Sequence, residues 1–193
     1  MMVSQVCTSS LLLAVTDNLL SNTDNRLASI VAFLDLSAAF DTLDHQILLK
    51  RLSITYGIHA KALQWFSSYL SDRQQSVTIG NIFSKPVPLQ SGVPQGCVLG
   101  PILFTLYTQP LSNTIHKHQF DYHKYADDTK LQKAAIPSDF SQVSRETEVC
   151  AADVKDWMNK NKLKLNEEKT ALLVRRGQHP PLSSEERTAN IWP

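Results

Sequence analysis

No run of apolar residues in this chain approaches the ~18 needed to cross a bilayer. The N-terminal run Ser10 to Val15 has no basic residue before it and no small-residue cleavage site after it, so it reads as neither anchor nor secretory signal. Cysteine is scarce. Cys7, Cys97 and Cys150 make no metal-ligand spacing and no even set for disulfides, which suits a reducing compartment. Charge of one sign is also lacking. The 19 Lys and Arg balance 18 Asp and Glu, leaving +1, so no overall field draws the chain to nucleic acid or lipid. The expectation is an intracellular protein, nuclear or cytoplasmic, without a membrane partner. Glycine is sparse at six, and three of these, Gly92, Gly96 and Gly100, crowd into Ser91–Pro101. A backbone so supplied either takes unusual angles or lets a ligand approach closely.

What is present is a globular composition, 42% hydrophobic and 19% charged, long enough for one domain with a real core. No internal repeat occurs. Residues 151–176 hold seven basic and four acidic side chains, a local +3 that suits a phosphate backbone or, equally, a solvated helix face. His116, His118 and His123 lack a partner pattern and read as ordinary loop and strand-edge histidines.

Periodicity predicts a helix over 9–21 and a buried strand over Ile30–Leu36, where the apolar run is continuous. Asp44 opens a helix through Leu52, broken by Gly57, and Lys61–Leu70 forms the next. Val77–Ile79 and Ile82–Phe83 read as a hairpin about Gly80-Asn81. Ile102–Leu111 reads as a helix with Pro101 in its first turn. Phe120–Tyr125 and Thr129–Leu131 are short strands. A long helix runs from Ser138 or Asp139 to Asn161, with Val143, Val149, Val154, Trp157 and Met158 as core candidates. Leu163–Leu165 and Thr170–Val174 are strand-like. From Gly177 the tail, with Pro180 and Pro181, is expected to be poorly ordered.

The acids carry the chemistry. Tyr125-Ala126-Asp127-Asp128 sets two carboxylates side by side at a hairpin tip, an arrangement that resists joint ionisation unless a cation holds it. A hard divalent ion such as Mg²⁺ is the usual partner. Asp35 closes the apolar run Val31–Leu34 and offers a third carboxylate. Singly, an Asp-Asp pair is a common turn and a lone Asp a helix cap. Together they are the parts of a two-metal phosphoryl-transfer site. A phosphatase-like or nuclease Mg²⁺ site fits the acids, but not the Gly-Pro loop.

Four segments in order match one family. Phe33-Leu34-Asp35-Leu36-Ser37-Ala38-Ala39-Phe40-Asp41 resembles motif A of reverse transcriptases. Ser91-Gly92-Val93-Pro94-Gln95-Gly96-Cys97-Val98-Leu99-Gly100-Pro101 resembles motif B, with Cys97 where a serine is commoner. Tyr125-Ala126-Asp127-Asp128 resembles motif C, and Leu163-Lys164-Leu165-Asn166-Glu167-Glu168-Lys169-Thr170 motif D. Order and spacing are similar to non-LTR, LINE-type retrotransposon enzymes from about Leu11 to Arg175.

The resemblance implies an α+β polymerase palm, a small antiparallel sheet backed by helices. Residues 25–176 would form the palm, 1–24 a residual fingers-side helix and loop, and 177–193 the tail. It further implies an RNA-directed DNA polymerase that works on an RNA template, a DNA primer and dNTP, with two Mg²⁺ ions or Mn²⁺ in their place. Asp35, Asp127 and Asp128 would hold the metals. Lys169 would protonate pyrophosphate. Phe40 would exclude a 2′-hydroxyl, pointing toward the same cleft as Asp35 rather than into the core. Gln95 and Gly96 would meet nucleotide and template. Fingers and thumb patterns are not found, so the chain reads as palm-centred, and weak synthesis or none is expected of it alone. The alternative is a catalytically inert retroelement remnant, at most a weak nucleic-acid-binding or interaction module. Oligomeric state is not legible.

Overall fold

The computed structural model describes residues 8–94, 96–125, 128–166, 168–175 and 187–189. In chain order the elements are α1 (Thr8–Asp24), β1 (Ala28–Leu34), β2 (Leu36–Ser37), α2 (His45–Ile54), α3 (Ala60–Leu70), β3 (Gln74–Gln75), β4 (Thr78–Ile79), β5 (Ile82–Phe83), β6 (Val87–Pro88), α4 (Gly100–Thr108), α5 (Leu111–Lys117), β7 (Asp121–Tyr125), β8 (Asp128–Ala135), a 3₁₀ turn (Pro137–Asp139), α6 (Phe140–Lys160), β9 (Lys164–Leu165), β10 (Ala171–Arg175) and β11 (Arg187–Ala189). They form two compact units, one of 1–37, 110–159 and 165–193, the other of 38–109 and 160–164.

The first unit is built on an antiparallel sheet ordered β11-β10-β1-β8-β7. β1 lies in the middle and is apolar on both faces, because both are covered. On one face Val31 meets Val15 and Leu19 of α1, with Phe33 and Leu173 packed against them. On the other Ile30 meets Val143 of α6 and Ala135, flanked by Phe140 and Leu172. Side chains alternate faces along a strand, so a one-residue register slip would bury the wrong set.

Several expectations are corrected here. β8 runs to Ala135 rather than Leu131, because the ladder to β1 continues through Ala135 and Gln132 is paired on its other side to β7 as well, which outweighs weak strand propensity. Val149 is 55% exposed, not core. The buried stripe of α6 is Val143, Thr147, Cys150, Ala151, Val154 and Met158, and Val149 falls off that helical face. Trp157 is half-buried. The helix expected over 102–111 ends at Thr108, and Pro110, which cannot continue it, leads into a further helix, α5, that periodicity did not separate. Three residues of the expected loose tail, Arg187–Ala189, pair with β10. The rest of that tail lies outside the described residues.

The second unit packs α2 with α3 and α4, burying Leu48, Leu52, Leu70, Leu103, Phe104 and Tyr107. Asp44 caps α2, its carboxylate accepting from the Ile47 N–H at 2.9 Å. The Arg51 guanidinium donates to the Tyr107 carbonyl and, at 2.6 Å, to Asn161 Oδ1, while the Tyr107 hydroxyl donates to the Asn161 carbonyl at 2.6 Å.

Candidate active site

Sheet register gathers the acids of the first unit. Asp35 directly follows β1, whose last residue, Leu34, lies opposite Thr129. Asp128 begins β8 opposite Tyr125 of β7. The ends of two neighbouring strands therefore meet, and Asp35, Asp128, Lys130 and Lys169 line one opening of about 260 Å³. Asp127 lies outside the described residues.

Asp35 is held by the turn after β9. The Asn166 N–H donates to its carbonyl at 2.9 Å, and Asn166 Nδ2 donates to its Oδ2 at 3.1 Å. Asn166 is itself fixed, because its carbonyl accepts from the N–H groups of Lys169 and Thr170 and from the Thr170 hydroxyl at 2.8 Å. The same turn carries Lys169, whose Nζ lies 3.8 Å from Asp35 Oδ2. The Asp35 side chain is 20% exposed and that of Lys169 72%, so the carboxylate is sheltered while the ammonium stands in solvent.

Two residues, Lys130 in this opening and Asn166 behind its Asp35, were missed in the sequence. Asn166 read as a connecting residue, and only the fold brings it to Asp35. Lys130 sits in mid-strand, and the fold buries its stem with Nζ 5.2 Å from the centre of the Phe33 ring.

The donor set suits a hard divalent cation, because two aspartates, Asp35 and Asp128, line one space. Among the described residues no group of three His, Cys, Asp or Glu side chains is assembled for a metal. The third expected ligand, Asp127, falls outside them.

Phe40, Gln95 and Gly96 belong to the second unit. Phe40 is half-buried and packs on the core ring of Phe104, centroids 5.0 Å apart. Its carbonyl accepts from the Val93 N–H at 2.9 Å, and that of Leu43 from the Gly92 N–H at 2.8 Å. Ser91 Oγ donates to the Asp41 carbonyl at 3.0 Å. The tail of motif A and the start of motif B are thus stitched backbone to backbone. Gly92 has φ +86°, and a Cβ there would stand 2.9 Å from the Asp41 carbonyl oxygen. Gly96 has φ +80° with open space around it. Gln95 lies outside the described residues.

The family model described as "Reverse transcriptase (RNA-dependent DNA polymerase)" matches residues 4–187. The chain belongs to the reverse transcriptase family. Among its relatives is the probable RNA-directed DNA polymerase from transposon BS of Drosophila melanogaster, 29% identical over 161 residues, which cover 81% of this chain and 17% of that protein. The RNA-directed DNA polymerase from mobile element jockey of the same fly is 29% identical over 113 residues, 56% of this chain and 12% of that protein. These relatives mark a LINE-type reverse transcriptase domain, and the chain spans under a fifth of their length. Telomerase from Candida albicans shares the fold, with TM-score 0.64 and 14% identity over 95% of this chain and 33% of that one. The α+β, antiparallel-sheet reading of the reverse transcriptase domain therefore holds.

Proposed function

We propose that this chain carries the nucleotidyl-transfer centre of an RNA-directed DNA polymerase, extending a DNA primer on an RNA template with dNTP. The observation that supports it best is the shared opening lined by Asp35, Asp128 and Lys169 at the ends of two adjacent strands. Asp35, Asp128 and, by motif, Asp127 would hold divalent cations, Mg²⁺ by preference or Mn²⁺. When bound, such ions make the primer hydroxyl a better nucleophile and hold the triphosphate.

The chain's own groups do the rest. Asn166 fixes the Asp35 carboxylate in one orientation, so that little rearrangement is needed at the moment of reaction. Lys169, tethered by the same turn but exposed, reaches the leaving pyrophosphate and gives it a proton. Phe40, braced on Phe104, excludes a 2′-hydroxyl, and Gln95 and Gly96 meet nucleotide and template. A net charge of only +1 gives the chain little overall pull on a phosphate backbone, so weak synthesis is expected of it alone.

Primer extension on an RNA template with purified protein, Mg²⁺ and dNTP tests this. The expected result is short extension that disappears in Asp35→Asn and in Asp128→Asn. Extension that persists in both variants removes these carboxylates from the reaction.

A further inference from the structure

Helix α3 carries a row of side chains that the catalytic reading does not use. Lys61, Trp65, Tyr69 and Arg73 recur every four residues, which sets the first three above one another on one helix face and Arg73 just beyond its end. Trp65 and Tyr69 lie nearly parallel, 11° apart with centroids at 5.5 Å. The Arg73 guanidinium lies over the Tyr69 ring, 4.8 Å from its centre. Phe66 props Trp65 edge-on at 81° and 5.1 Å. The order is cation, ring, ring, and then one helical turn further on a second cation.

Such a row is costly to leave idle. Trp65 is 53% exposed, although a tryptophan side chain gains much from burial. Its ring is nonetheless held in one orientation by two neighbours, as a platform is and a loose surface side chain is not. Neither Lys61 nor Arg73 makes an ion pair among the described residues, although Asp72 adjoins Arg73 in sequence. No acidic residue lies on α3.

We propose that this face of α3 binds single-stranded nucleic acid, with an unpaired base stacked on the outer face of Trp65 and its flanking phosphates met by Lys61 and Arg73. A flat ring already stacked on one side offers its other side to a planar base, whatever the base, and Lys61 and Arg73, neither ion-paired among the described residues, suit phosphates on either side. A protein hot spot would also use Trp, Tyr and Arg, but in a desolvated apolar pocket rather than in an open row ended by cations. The inference rests on the nucleic-acid-polymerase reading, yet its site contains none of the proposed catalytic residues.

Fluorescence anisotropy with the full 193-residue chain tests it, using labelled 12-nucleotide oligouridine, the DNA equivalent and a 12-base-pair duplex. Trp65→Ala is expected to weaken both single strands by about 5- to 150-fold, the range for loss of one stacked base, with little effect on the duplex. Trp65→Phe should restore most of the affinity. Lys61→Gln with Arg73→Gln should flatten the salt dependence for single strands by roughly 1.4 in log–log slope, two phosphates' worth. Trp65→Ala removes an exposed ring, and circular dichroism checks that the fold is kept. Unchanged single-strand affinity in folded Trp65→Ala overturns the proposal and leaves the face to a protein partner. Equal loss on duplex and single strand also overturns it. Asp35→Asn separates the two readings: it should abolish extension while leaving single-strand affinity intact.

Discussion

Asn166 grips Asp35 twice, through its backbone N–H to the carbonyl at 2.9 Å and through Nδ2 to carboxylate Oδ2 at 3.1 Å. The backbone bond survives any substitution except proline, so the side-chain bond can be removed separately. Asn166→Ala is expected to leave the fold intact and to weaken divalent-cation affinity by about 10-fold or more, the usual effect of losing a group that orients a ligand. Extension should lose kcat rather than raise KM for dNTP. Mn²⁺ titration and single-nucleotide kinetics check this, and unchanged values of both would leave Asn166 a turn residue only.

Gly92 presses against Asp41 from the motif B side. At φ +86° with a Cβ only 2.9 Å from a backbone oxygen, Gly92→Ala must both strain the chain and push two stitched segments apart. The expected cost is about 1–3 kcal/mol. Gly96→Ala, at φ +80° but with open space, meets the conformational strain without the clash and should cost less. Thermal melts of the two variants side by side give the comparison.

Lys162 Nζ stands 2.6 Å from Asp44 Oδ2. Burial works against ionisation of Asp44, but the bond from Lys162, the N–H groups of Ile47 and Gln46 and the Lys162 charge outweigh it and hold its carboxyl below the ordinary value of 3.8. A depressed carboxylate pKa contributes stability above its unfolded value that is lost as pH falls through the folded one. Asp44→Asn keeps a capping oxygen and removes the charge. The variant should be less stable than the parent near neutral pH and indistinguishable from it well below pH 3.8. Lys162 is exposed, so the gap should be under about 1 kcal/mol.

Burial pushes the Tyr107 hydroxyl up to about 12 and the Cys150 thiol up to about 11. Groups raised in the fold contribute stability that is complete below their unfolded pKa and is lost as pH rises through the folded one. The chain should therefore lose stability between about pH 9 and 12. Tyr107→Phe should cost about 0.5–1.5 kcal/mol at neutral pH, for the bond to the Asn161 carbonyl, and should shallow the alkaline loss. Denaturant midpoints at stepped pH measure both.

Phe40→Ala is expected to raise rNTP use relative to dNTP, and also to lower Tm because Phe104 loses its ring contact. Competition between rNTP and dNTP in primer extension checks the first effect. A lower Tm with unchanged sugar preference would make Phe40 a packing residue alone.

The sequence by itself determined the local pieces. Continuous apolar character marked β1 as a buried strand, Asp44 marked the start of α2, and the order of four short motifs named the family. These signals are local because caps, turns and periodicity act over a few residues. Tertiary structure decided the rest. Gln132 became strand because β1 and β7 flank it, and Lys133 because β1 pairs with it, which no propensity at those positions foretells. Arg187–Ala189 joined the sheet because β10 had an edge to pair. Asn166 met Asp35 across 131 positions because a hydrogen bond depends on where the fold places two groups, not on how far apart the chain writes them.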